Sequence, residues 1–137
     1  MKIEEFEFPE DRYYLKNHAW LKESNDSIQV GITSLGESLS KGIVHIDLPE
    51  IGDTIEEGDT LIAYETIKAV SQITLPFDSI VVDVNELLWE TPGKINEDPY
   101  NTWIVSVKGE LSNYMNVDEA CTYYRELIRE ERNRYTR

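Results

Sequence analysis

At 137 residues, with 40% hydrophobic and 10% aromatic content, the chain holds enough apolar material for one domain, 1–137, with a buried core. Its formal net charge of −14 opposes nucleic acid and anionic membrane surfaces and favours basic docking surfaces on partners. The apolar runs are only a few residues long and Met1–Glu5 has no secretory signal character, which together point to a cytoplasmic protein; one cysteine and two histidines give neither an internal disulfide nor a metal constellation.

The first strand-like run is Ile28–Ile32, and Thr33-Ser34-Leu35-Gly36-Glu37 then offers Ser34 as a helix N-cap with Glu37 three residues on. A short helix is predicted to end near Lys41-Gly42. Residues 43–48 alternate, with Val44, Ile46 and Leu48 on a buried face and His45 and Asp47 on a solvated one. Gly-Asp turns at 52–53 and 58–59 precede further strands at Thr60–Glu65, Val70–Leu75, Ser79–Val84 and Trp103–Lys108. Phe77, in the turn after Leu75, is predicted to fold onto the core. Between Val84 and Trp103 the alternation stops and Pro92-Gly93 and Asp98-Pro99 interrupt it, so a short helix at Glu86–Trp89, with Trp89 packed inward, should be followed by a loop. Asn116 and Glu119 form a second capping box, and Val117, Ala120, Cys121, Tyr124, Leu127 and Ile128 recur at helical spacing. They predict an amphipathic helix over about 117–133 that packs on the sheets, with Cys121 as a small buried apolar residue. Glu130 and Arg134 are spaced for a pair across one turn of it. Many short strands with Gly and Pro turns suggest a sandwich or barrel.

Charge is uneven along the chain. Residues 125–137 hold five Arg and three Glu, net +2, which leaves −16 for residues 1–124. This terminal stretch reads either as a solvated helix face or as a docking handle.

Two strands separated by Glu65-Thr66-Ile67-Lys68-Ala69 form a hairpin that places Lys68 at its tip. A tip lysine on its four-carbon stem is within reach of a modifying enzyme, although tip lysines are also ordinary solubilising residues. No Gly-x-Ser-x-Gly elbow, phosphate-cradling glycine loop or metal cluster accompanies it, so the chain is read as a non-enzyme. Its many acids are explained by a solvated surface.

The order Pro49-x-x-Gly52-Asp53, Gly58-Asp59, then a strand ending in Glu65-Thr66-Ile67-Lys68-Ala69 resembles a lipoyl domain. Ile67 and Ala69 stand where a biotin carrier has Met, which favours lipoate. With His18-Ala19-Trp20, Val30-Gly31-Ile32-Thr33, Val44 to Glu50, Val84-Asn85-Glu86 and Ile95 to Tyr100 before Trp103, the chain resembles the glycine cleavage system H protein family from about 13 to 108, with a matching helix beyond.

The resemblance implies a mainly β fold: a lipoyl-domain, or barrel-sandwich hybrid, flattened β-sandwich of two quasi-equivalent halves, with short helices and a C-terminal α-helix. It also implies a monomeric carrier subunit with lipoic acid covalently attached to Lys68 and with Glu65 as the acid that the attaching enzyme reads. The implied partners are a lipoate ligase or a lipoyl/octanoyl transferase, and then glycine decarboxylase, aminomethyltransferase and dihydrolipoamide dehydrogenase, between which an aminomethyl group travels. Departures from the family pattern stand at Ala19 for Glu, Gln72 for Asp and Leu39 for a polar residue or His. Two more lie at Pro76-Phe77-Asp78-Ser79, where lipoyl proteins usually have a Gly-ended turn, and at Asn101-Thr102-Trp103, which replaces a Gly-rich approach to the Trp. The first three leave open an H-like paralogue that carries sulfur between sulfur-oxidation enzymes; a further alternative is a binding module that is never lipoylated.

Overall fold

In the computed structural model, residues 1–40 and 42–135 are described, without the side chains of Ser40 and residues 133–135. An N-terminal hairpin, β1 (Lys2–Ile3) and β2 (Phe6–Glu7), is followed by β3 (Tyr13–Tyr14), β4 (Ala19–Ser24) and β5 (Ser27–Ile32). Then come α1 (Ser34–Ser40), β6 (Ile43–Asp47), β7 (Thr54–Ile55), β8 (Thr60–Thr66), β9 (Val70–Thr74) and β10 (Ser79–Val84). The chain continues through the single-turn helices α2 (Leu87–Glu90) and α3 (Lys94–Glu97), strand β11 (Val105–Gly109) and the long helix α4 (Val117–Tyr135). The fold is mainly β, built on two open antiparallel sheets, ordered β3-β4-β5-β11-β10-β7 and β6-β8-β9.

The period-two geometry of β4 explains why there are two cores. Leu21 points to the cluster between the sheets, with Val30, Ile46, Ile62, Ile73 and Val107, while its neighbour Trp20 points the other way. On that second face Trp20 meets Tyr14, Phe8, Leu35 and the Ala120, Cys121 and Tyr124 stripe of α4. Gly31 is required opposite Trp20, because a Cβ there would lie 2.2 Å from the indole Cζ2. The indole Nε1 donates to the Pro99 carbonyl at 3.1 Å, and the Arg12 guanidinium lies 4.7 Å from the centre of the ring.

Several predicted elements are present as read. The Asn116–Glu119 capping box is reciprocal, with Glu119 N–H donating to Asn116 Oδ1 at 2.9 Å and Asn116 N–H to Glu119 Oε1 at 3.1 Å. Phe77 and Cys121 are buried and His45 is exposed. The Glu130–Arg134 pair lies outside the described residues, as does the helix end expected at Lys41.

Other expectations are overturned, each for a local reason. The cap of α1 is Thr33, whose Oγ1 accepts from Gly36 N–H at 3.0 Å, so the cap lies one residue earlier than expected and no reciprocal box forms, Gly36 having no side chain to return the bond. Glu37 is then freed to accept from Asn96 of α3 at 3.1 Å. Val44 is exposed because a bulge between Ile43 and His45 resets the alternation and turns Ile43 and Ile46 inward. Trp89 is 50% exposed, since the single buried position of α2 is taken by Leu88. The expected loop after it contains α3, whose Ile95 is fully buried and whose Asn96 Oδ1 accepts from Ile43 N–H at 3.0 Å. No described helix is long and apolar enough to cross a membrane.

Candidate functional site

Strands β8 and β9 pair from Thr60↔Thr74 to Glu65↔Val70, and Thr66 N–H donates to the Ala69 carbonyl at 2.9 Å to close the turn. Ile67 and Lys68 form its tip. The Thr66 hydroxyl organises it, with Oγ1 3.3 Å from both Lys68 N–H and Ala69 N–H. Ile67 is 88% exposed, and Lys68 is exposed beside it. Glu65 is also exposed, opposite Val70 on one side and His45 on the other. Glu65 and Lys68, singled out from sequence, are therefore brought to one end of the three-stranded sheet.

Beside the tip lies a cleft of about 620 Å³, lined among others by His18, Leu39, Tyr64, Ile67, Lys68 and Glu131. These residues come from the β3–β4 turn, α1, the hairpin and α4. His18 has φ of 70°, and its N–H donates to the Tyr124 hydroxyl at 3.1 Å, which in turn donates to the Leu15 carbonyl. Burial lowers the His18 pKa below its usual value, so the ring is neutral at neutral pH, and its buried Nδ1 has no hydrogen-bond partner. Gly36 lets α1 approach, since a Cβ there would sit 2.6 Å from His18 Cβ.

The positions read from the sequence as departures from the pattern it resembles are placed unequally. Leu39 lines the cleft. Ala19 is fully buried in the inter-sheet core, and Gln72 accepts from the Thr60 hydroxyl at 3.0 Å. Of the described residues lining the cleft, Glu131 is the one carboxylate. Sequence reasoning passed over Tyr64 and Glu131 as lining residues and treated His18 only as part of a motif. Among the described residues no group of His, Cys, Asp and Glu is placed to hold a metal ion.

Comparison with known proteins gives the family and the fold. The family description Glycine cleavage H-protein matches residues 12–131. A glycine cleavage system H protein 4 of Aquifex aeolicus is 36% identical over 135 residues, covering 95% of this chain and 79% of that protein. A probable glycine cleavage system H protein of Pyrococcus furiosus is 35% identical over 133 residues, covering 93% of this chain and 99% of its own. The crystal structure of a glycine cleavage system H protein from Mycobacterium marinum superposes with a TM-score of 0.79 at 29% identity, covering 85% of this chain and 98% of that one.

Proposed function

The chain belongs to the glycine cleavage H-protein family, and on that premise we propose that it is a carrier protein whose arm is lipoic acid joined by an amide to Lys68. The observation that carries this reading is the placement of Lys68 at an exposed hairpin tip on the rim of a cleft. The side chains present suit the group: the tip leaves the lysine amine accessible, and Leu39, Tyr64 and Ile67 give the cleft apolar wall for a hydrocarbon chain. When bound, lipoate supplies a disulfide able to accept and release a small transferred group. The protein's own residues orient and present it. Thr66 fixes the backbone on both sides of the tip, and Glu65 offers a carboxylate on the same strand, three residues before the lysine, for the ligase or transferase to read.

Glycine decarboxylase, aminomethyltransferase and dihydrolipoamide dehydrogenase are the partners this reading assigns, with an aminomethyl group as cargo. Tethering the cargo keeps its local concentration high at each partner in turn. A sulfur cargo is the second reading, favoured by one observation: among the described residues lining the cleft, Glu131 is the carboxylate that could face a cationic amine. Lipoylated protein that supports no glycine–bicarbonate exchange with a glycine decarboxylase would select it.

Intact mass and peptide mapping on protein from its native host test the attachment. A gain of about 188 Da, the lipoyl increment from its formula, should map to Lys68 and vanish in Lys68→Arg. An unmodified Lys68 in growing cells that contain a competent ligase overturns the carrier reading.

A further inference from the structure

A second concavity, of about 430 Å³, lies between the N-terminal hairpin and α4, and its lining contains the cations Lys2, Arg125, Arg129 and Arg132 and the acid Glu4 together with Ile3 and Ile128. The three arginines are spaced i, i+4, i+7 and so share one face of the helix. Arg132 is held by Glu4, and Arg129 Nη1 lies 2.9 Å from Glu126 Oε1. Lys2 and Arg125 are exposed and make no ion pair among the described residues. Two cations are thus available at the rim, above an apolar floor that includes the 4% exposed Ile3.

In a chain of net charge −14 this is a local reversal of sign. Helix α4 packs against β1 and against β3, at one edge of the six-stranded sheet. The acids of the Gly-Asp turns, Glu50, Asp53, Glu56, Glu57 and Asp59, flank β7 at the other edge. Screening over ~8 Å at physiological salt confines the effective field to charges at the groove itself, where Glu4 and Glu126 are each paired with an arginine and Lys2 and Arg125 remain to meet an entering carboxylate. The groove also borders the candidate site, because Arg132 lines it while the adjacent Glu131 lines the Lys68 cleft.

We propose that this groove is the docking site for an acidic segment of a partner protein that works on the Lys68 arm. The assignment of the partner's role rests on the carrier reading above; the chemistry of the groove does not. A segment with carboxylates around an aliphatic side chain matches the cationic rim and the Ile3–Ile128 floor. RNA or an anionic membrane would extend past the groove onto the remaining surface, whose net charge is negative.

The probe is a short fluorescein-labelled peptide of Glu interspersed with Leu, followed by anisotropy with the full chain. Binding should weaken with salt, fall about ten-fold in the Lys2→Gln/Arg125→Gln double variant, and be unchanged in Lys68→Arg. No binding to the unaltered protein, or equal binding to the double variant, overturns the proposal. Tighter binding of an RNA oligomer or of anionic vesicles overturns the protein assignment. Self-association that the double variant abolishes would instead make a second copy the occupant and equally overturn it. With lipoylated protein, the double variant should raise KM for at least one of the three assigned enzymes at unchanged kcat, and unchanged KM for all three overturns the partner's role. Intact mass of the same sample separates the two failures: an unmodified Lys68 counts against the carrier reading, whereas the peptide result does not depend on it.

Discussion

His18 sits at φ 70°, in the left-handed region that few residues other than glycine adopt, and it is held there from three sides. Its N–H is bonded to Tyr124, its carbonyl accepts from Thr33 N–H at 2.9 Å, and its ring lies 5.3 Å from that of Tyr124. Burial lowers its pKa from the ordinary 6.5, so the unfolded chain takes up a proton at a higher pH than the folded one. His18 therefore contributes stability that is fully present above pH 6.5 and is lost as pH falls from there through the lowered folded value. Asn tolerates the same backbone conformation, which makes His18→Asn the informative variant. Between about pH 7 and 5.5 the melting temperature of the unaltered protein should fall further than that of the variant, with carboxylate titration common to both. Parallel curves would show that the buried imidazole does not govern this window.

Among the elements, α4 is tied to the cleft by one hydroxyl. Tyr124 accepts from His18 N–H and donates to the Leu15 carbonyl, so Tyr124→Phe removes the partner of a part-buried donor and of an acceptor while keeping the ring in the second core. The cost should be about 1–3 kcal/mol, read from the denaturant midpoint at unchanged slope; a loss below a few tenths would mean that water replaces both bonds. Helix α4 was legible in the sequence because its cap and its stripe are both local patterns, and the β8–β9 hairpin was legible because two strands flank one short turn. The two-residue strands β1, β2, β3 and β7 are too short to carry any period. Strand β4 was hidden because Ala19, Trp20 and Leu21 are all buried, in two different cores, which erases the alternation. Its real signal was the Asn25-Asp26 turn, where φ is 49° and 65°. Val44 misled through a bulge, and Trp89 through its bulk. For the candidate site, Lys68 and Glu65 lie within one turn and were visible; the cleft needs α1, the β3–β4 turn and α4 to converge, and no local pattern encodes that His18, Gly36 and Glu131 meet near Lys68.

The whole molecule carries 27 acids against 13 lysines and arginines. Among the described residues, ion pairs join Asp11 to Arg12 and Lys22, Glu126 to Arg129, and Glu4 to Arg132, so most carboxylates have no cation beside them. The exposed pairs among these each contribute at most about 1 kcal/mol, whereas the unpaired excess repels itself throughout the folded state and less in the expanded one. The range of that repulsion is set by salt. At ~0.01 M the screening length is about 30 Å, enough to couple charges across the fold, and at ~0.15 M it is about 8 Å. Raising sodium chloride between these limits should therefore raise the melting temperature by roughly 2–5 °C, the shift that about 1 kcal/mol produces in a domain of this size. Sulfate would confound the measurement by strengthening burial directly, so chloride is the salt to use. A melting temperature that falls over this range would show that the few ion pairs outweigh the net field. The Lys2→Gln/Arg125→Gln variant adds two further negative units of net charge and should show a steeper rise with salt, because its excess is larger while every ion pair named above is intact.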